Sequence, residues 1–205
     1  NPGLTAVAVL SLAIGIGPNA AVFSPIDGFG FRPLPIRDPA SLLVVSSATP
    51  KERAGEVSYV EYLELRDVPA FASVAAQATQ GVSVAGGTKG PSLGFAEQVS
   101  ANYFETLGVA PVAGRTFLSG EDQTPGTHPV AIISERLWEK RYGRDPQILS
   151  RTIRLNRVDC AIVGVMPESF RGTTPPNGPD LWVPLMLSSA LWTAPAAVSD
   201  LRGSR

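Results

Sequence analysis

The chain has one cysteine, Cys160, and one histidine, His128, in 205 residues. A lone cysteine cannot close an internal disulfide, so the sequence neither demands nor excludes an oxidising compartment. The same scarcity removes nearly every thiolate or imidazole metal site, because tetrahedral zinc takes three or four such ligands. It also leaves nucleophilic catalysis with a single candidate base. His128 stands in Gly126-Thr127-His128-Pro129, a polar loop ahead of a proline, and this context reads as a surface residue rather than a general base. Cys160 lies within VDCAIVGV, where a small buried thiol in a strand is the simpler reading.

Charge is sparse too. Asp, Glu, Lys and Arg make up 17% of the residues, with 17 basic against 18 acidic side chains and a net charge of -1. A nucleic-acid binder would show a basic surplus, so no nucleic-acid partner is expected. Lys140, Arg141, Arg144, Arg151, Arg154 and Arg157 form a basic run without aromatic platforms for bases. It reads as a surface facing solvent or a partner. Glu61 with Glu64, and Glu121 with Asp122, are carboxylate pairs of the kind glycosidases use, but each pair lies in one polar segment and reads as solvated. Gly15-Ile16-Gly17 is too short and apolar to cradle a phosphate. The sequence therefore offers no catalytic, cofactor-binding or metal-ligating residues, and no enzyme activity or cofactor is expected.

The longest gap in charge is at the start, where no ionisable side chain precedes Asp27. Leu4 to Ile26 is 23 uncharged residues. As a helix they span about 35 Å, enough for a hydrocarbon layer of roughly 30 Å. Nine strongly apolar side chains between Leu4 and Phe23 favour insertion. Their sum is roughly -3 to -5 kcal/mol, offset in part by Gly15, Gly17, Pro18 and Asn19. A buried core helix would carry a polar face, and a signal peptide would have a basic start and a shorter apolar run. A retained membrane helix fits better than either. Arg32 and Arg37 come after it and nothing basic precedes it, so a literal positive-inside count puts the N-terminus outside, although long domains translocate regardless of charge. The residues leave the orientation open.

Gly (20) and Pro (19) are plentiful in the chain. Arg32-Pro33-Leu34-Pro35 and Asp38-Pro39 make a stiff exit from the apolar stretch. Leu42 to Ser46 reads as a buried strand. Ser58-Tyr-Val-Glu61 has the form of a capping box that opens a helix to about Asp67. Ser73 to Ala78, Val82 to Ala85 and Leu93 to Val99 read as short strands. Ser100 is placed to cap a helix over Ala101 to Leu107, stopped by Gly108. Val130 to Ile133 reads as a strand and Ser134 as the cap of a helix that Gly143 ends. Arg151 to Leu155 and Val158 to Val165 form a hairpin around Asn156-Arg157, and Leu181 to Leu185 is the last apolar run. Strands alternating with short helices indicate an α+β domain.

Seven stretches, in this order and spacing, resemble a known family. They are NPGLTAVAVLSLAIGIGPNAAVF with RPLP, VSYVEYLELRD, EQVSANYFETLGVAPVAGRTF, PVAIISERLWEKRYG, TIRLN, AIVGVMPESF and DLWVPL. Together they look like the MacB-like permeases of ABC transport systems, of the acidobacterial type without a fused ATPase. The resemblance implies a transmembrane helix and stalk over residues 1–32 and a MacB-like periplasmic core domain over 33–205, truncated at its C-terminus. The fold it implies is α+β, with a βαβ-type porter subdomain interrupted by a mostly β inserted subdomain. It implies a homodimer in the bacterial inner membrane, held by membrane lipid, with the domain in the periplasm. A cytoplasmic ABC ATPase subunit and a periplasmic or outer-membrane partner would work with it. The chain would transmit ATP-driven motion and perform no bond chemistry. Tyr103, Phe104, Leu107, Trp138 and Tyr142 would be core packing. A membrane-tethered sensor or interaction domain is the alternative, and a signal-anchored secreted enzyme a third reading. The family has Ala where Pro18 stands, and turns its hairpin on Asn-Gly where this chain has Asn156-Arg157.

Overall fold

The computed structural model describes residues 57–173 and 178–192, together with 39–47 and positions 2, 3, 5, 11 and 36. Of the charge-free stretch from Leu4 to Ile26, Thr5 and Ser11 are described and both are helical. The remainder of the expected membrane helix, the stalk and Pro18 lie outside the described residues. Among the described residues no helix is long and apolar enough to cross a membrane.

Seven strands and four short helices organise the domain among the described residues. The strands are β1 (Gln77–Gly86), β2 (Lys89–Val99), β3 (Ala113–Gly114), β4 (Val130–Ser134), β5 (Thr152–Leu155), β6 (Val158–Met166) and β7 (Leu181–Pro184). The helices are α1 (Tyr59–Arg66), α2 (Tyr103–Leu107), α3 (Glu135–Tyr142) and α4 (Ser188–Leu191). The strand order is β3-β6-β4-β7-β2-β1-β5, and β5 pairs back onto β6. Six strands thus form a closed circuit, with β3 added to β6. Closure removes most of the free edges a sheet of this size would otherwise expose.

Two connections give the sheet its mixed character. β4 and β6 are parallel, and α3 lies in the crossover between them. β2 and β7 are also parallel, with α2 and the β4–β6 segment between them. The rest is antiparallel. The β1–β2 hairpin runs in register from Gln77 opposite Val99 to Val84 opposite Ser92, and a bulge shifts the register before Gly86 opposite Lys89.

Period-2 alternation sorts the apolar side chains into two cores on opposite faces of the sheet. Val82, Val84, Ala96, Ile133, Leu155, Cys160, Ile162, Leu181 and Val183 face the first, which Leu137 and Leu187 help to fill. Val99, Ile132, Met166 and Trp182 face the second, beneath Tyr103, Phe104 and Phe170. Ile132 and Ile133 are both fully buried because each face has its own core. Phe104 is the centre of the second core, with its ring 5.7 Å from that of Trp182 and 6.0 Å from that of Phe170. The five residues expected as core packing are all placed there: Tyr103, Phe104 and Leu107 are buried, and Trp138 and Tyr142 pack half-buried on the first core.

Local signals hold at several joints. Ser58 and Glu61 form both bonds of the capping box at α1. The Ser134 hydroxyl accepts from the Leu137 N–H at α3, and Gly143 closes that helix in the left-handed region at φ 58°. Asn156 takes the left-handed position of the β5–β6 turn at φ 53°, and Arg157 does not, so the Arg costs nothing there.

Three expectations are corrected. Leu42 to Ser46 is not a strand: Leu43 is 76% and Val44 92% exposed, because only Leu42 reaches the second core. Ser73 to Ala78 does not form its own strand. The sheet begins at Gln77 and runs unbroken through Val82 to Gly86, since the antiparallel register with β2 carries it. Ser100 does not cap α2. Its hydroxyl donates to Asn102 Oδ1 and accepts from the Ala76 N–H, tying the helix entry to the start of β1.

Candidate functional site

The residue types that carry bond chemistry are dispersed. His128 is exposed in its loop, with Nδ1 2.8 Å from the Thr127 hydroxyl. Cys160 is fully buried in the first core, and burial pushes its thiol up to about 12. Glu61 is bound up in the α1 cap. Among the described residues no three His, Cys, Asp or Glu side chains come together as a metal site. The polar groups the fold has gathered are instead buried, and they hold elements to one another.

The first such centre corrects the reading of Glu121 and Asp122 as a solvated pair. Glu121 is 8% exposed and takes a two-pronged bond from Arg115, at 2.7 and 2.9 Å, plus the Leu118 N–H. Burial pushes its carboxyl up. The Arg115 bond, the Leu118 N–H and the Arg115 charge together outweigh this and hold it below the usual range. Asp122 accepts from the N–H groups of Ala101 and Met186, joining the start of α2 to the turn after β7. Burial raises this carboxyl above its ordinary value against those bonds.

The second centre corrects the reading of the basic run. Arg144 pairs with Glu135, Arg151 with Asp145, and Arg154 with Asp159, all at the surface. Arg141 is only 4% exposed. Its guanidinium donates to the carbonyls of Val84, Gly86, Lys89 and Gly90 and to the Ser92 hydroxyl, at 2.6 to 3.3 Å. The Arg141 carbonyl in turn accepts from the Thr88 N–H and hydroxyl. The tip of the β1–β2 hairpin is wrapped around one side chain. Position 87, at φ 70°, accepts only glycine, because a Cβ there would collide with the Arg141 carbonyl oxygen.

The third centre is Glu97 on β2, completely buried at the edge of the second core. Its Oε2 accepts from Trp182 Nε1 at 2.7 Å and from the Tyr103 hydroxyl at 3.3 Å. Its Oε1 is buried without a partner among the described residues. Burial pushes the carboxyl up to about 7, although the Trp182 and Tyr103 bonds pull the other way.

Sequence reasoning missed Glu97 and Arg141, and each had a signal. Glu97 shares its strand face with Val99, so alternation puts it in a core. Arg141 comes four residues after Leu137 and three after Trp138, which sets it on the buried face of α3.

The fold is thus a mixed α+β module whose buried polar groups fasten its parts together. Residues 5–201 match the model of the MacB-like periplasmic core domain, and the chain belongs to that family. Its fold is similar to the periplasmic region of MacB from Actinobacillus actinomycetemcomitans (14% identity, TM-score 0.58, covering 74% of this chain and 67% of that one). It is also similar to the extracellular domain of the noncanonic ABC-type transporter YknZ from Gram-positive bacteria (17% identity, TM-score 0.53, covering 65% and 66%). The chain spans about two thirds of the length of each. No curated protein sequence matches it.

Proposed function

We propose that this chain is the extracytoplasmic module of an ABC-type permease, anchored by a helix over residues 4–23. It passes ATP-driven motion from a cytoplasmic ATPase subunit to substrate or to an envelope partner. The observation that carries the reading is the family match, which starts at residue 5 and therefore takes in the apolar stretch as well as the domain. The likeness to domains of MacB and of the YknZ transporter agrees with it. Residues 1–32 serve as membrane helix and stalk, and 33–205 as the core domain. The parallel β4–α3–β6 unit belongs to the porter subdomain, with the β1–β2 hairpin in the inserted β part. Two copies act together in the inner membrane.

The role is mechanical, and the domain has features suited to it. Bidentate and multidentate charge-assisted hydrogen bonds fix the relative placement of two elements more sharply than apolar contacts, because their geometry is directional. Arg141 and the Glu121–Arg115 pair are such joints.

The reading is tested by expressing the parent gene with its upstream flank in a bacterial host. The product is expected to resist carbonate extraction, and a cysteine introduced at exposed Lys140 to react with an impermeant maleimide in intact spheroplasts. Product released by carbonate, or a cysteine labelled only after lysis, would refute it.

A further inference from the structure

The Tyr103 hydroxyl has one proton and two acceptors competing for it. Gln77 Oε1 on β1 lies 3.0 Å away, and Glu97 Oε2 on β2 lies 3.3 Å away. Thr173, in the loop after β6, donates to the same Gln77 Oε1 and sits 3.4 Å from the Tyr103 oxygen. Gly172 closes the site: a Cβ there would come within 3.0 Å of Glu97 Oε2. The cluster joins four elements, β1, β2, α2 and β7, to the loop.

A hydrogen-bond inventory separates the two protonation states. With Glu97 neutral and its proton on Oε2, that oxygen donates to Tyr103, Tyr103 donates to Gln77, and Trp182 still donates to Oε2. Every hydroxyl is used once, and the unpartnered Oε1 is a neutral carbonyl oxygen. With Glu97 ionised, the charge draws the Tyr103 proton away from Gln77, because a charge-assisted bond is roughly twice as strong. Among the described residues Gln77, which is exposed, then keeps only Thr173, and a buried negative oxygen, Oε1, has no donor. The groups facing the carboxyl are Gln77 from β1, Tyr103 from α2, Trp182 from β7, and Gly172 and Thr173 from the loop. Tyr103 is the one titratable group among these, and burial, with the Glu97 charge beside it, raises its pKa further. No cation among them compensates an ionised Glu97.

We propose that Glu97 is a proton-operated switch of the Tyr103 hydroxyl: neutral, it leaves Tyr103 to tie α2 to Gln77 on β1, and ionised, it takes the Tyr103 proton and breaks that tie. The inference concerns the domain itself and stands whether or not the transport reading does. Its pH range is a physiological one, since burial places the Glu97 carboxyl near 7.

The test is hydrogen exchange on the whole chain at pH 5.5 to 8.5, read as protection factors so that intrinsic rates cancel. Protection of the Trp182 indole N–H is expected to rise at least tenfold with a midpoint near 7, because its acceptor, Glu97 Oε2, gains charge. Glu97→Gln should flatten that profile. Should Glu97→Gln fail to fold, Tyr103→Phe serves instead: losing a donor to the carboxylate disfavours the charged form, and the midpoint should move up. Flat wild-type protection, an unchanged profile in Glu97→Gln, or an unmoved midpoint in Tyr103→Phe would each overturn the proposal.

Discussion

Replacing Arg141 should cost more stability than any surface arginine in the chain. Its guanidinium contacts four backbone carbonyls, of which Val84 is buried and Gly86 half-buried, while those of Lys89 and Gly90 belong to exposed residues that water can reach. Two acceptors are therefore left without a donor on truncation. At about 1–3 kcal/mol for each unsatisfied buried group, Arg141→Ala should lose about 2–6 kcal/mol. Arg141→Met separates the causes, since it keeps the apolar stem but has no donors. If the hydrogen bonds matter, Met should be nearly as damaging as Ala. Arg141→Lys, with three donors on a point charge, should fall in between. Urea unfolding monitored by far-UV circular dichroism gives the differences. Hydrogen exchange at Val84 to Ser92 shows whether the hairpin tip opens first. A loss under 1 kcal/mol for both Ala and Met, with an unchanged tip, would refute the view that this side chain organises the hairpin.

Other outcomes rest on single sites. Wild-type stability should fall as pH rises from about 5 to 8. The folded Glu97 carboxyl stands near 7, against an ordinary 4.5, so the folded state holds a proton that the unfolded state has released. Such a raise corresponds to about 3 kcal/mol, present in full below the ordinary value and gone above 7, and Glu97→Gln should abolish the slope. Ser134→Ala should cost about 1 kcal/mol through loss of the α3 cap, measurable by the same urea titration. Gly87→Ala should cost more than Gly143→Ala: both glycines have positive φ, but only at Gly87 does the added Cβ meet backbone. Cys160 should resist Ellman's reagent at pH 8 until the chain unfolds, because burial keeps its thiol protonated.

Much of the fold was legible where the cause is local. A serine or asparagine that must accept a nearby N–H, or a glycine that must turn left-handed, leaves its mark in three or four residues. Ser58, Ser134, Gly108, Gly143 and Asn156 all act as their spacing suggests. Most strands were legible too, but strand partnership was legible only at the β5–β6 hairpin. Nothing in Gln77 to Gly86 announces that it will pair with β2 along nearly its whole length and with β5 at two residues, which closes the circuit. Leu43 and Val44 show the opposite case, strand-forming residues to which the described fold gives no place in the sheet. Ser100 had the spacing of a cap, but its hydroxyl found Asn102 and Ala76 instead. The buried polar centres were the least visible. A charged residue reads as solvated unless its neighbours at strand or helix spacing are weighed, and Glu97, Glu121 and Arg141 each required that step. The family resemblance rested on motifs spread along the whole chain, and it holds over residues 5–201.

The central claim, that the domain moves with the nucleotide state of an ATPase partner, can be measured directly. The parent permease would be reconstituted with its ATPase in lipid and spin-labelled at a cysteine replacing Lys140, buried Cys160 being left in place. The distance between labels on the two copies should shift between the nucleotide-free and ATP-bound states. The same distance distribution in both states would contradict the account.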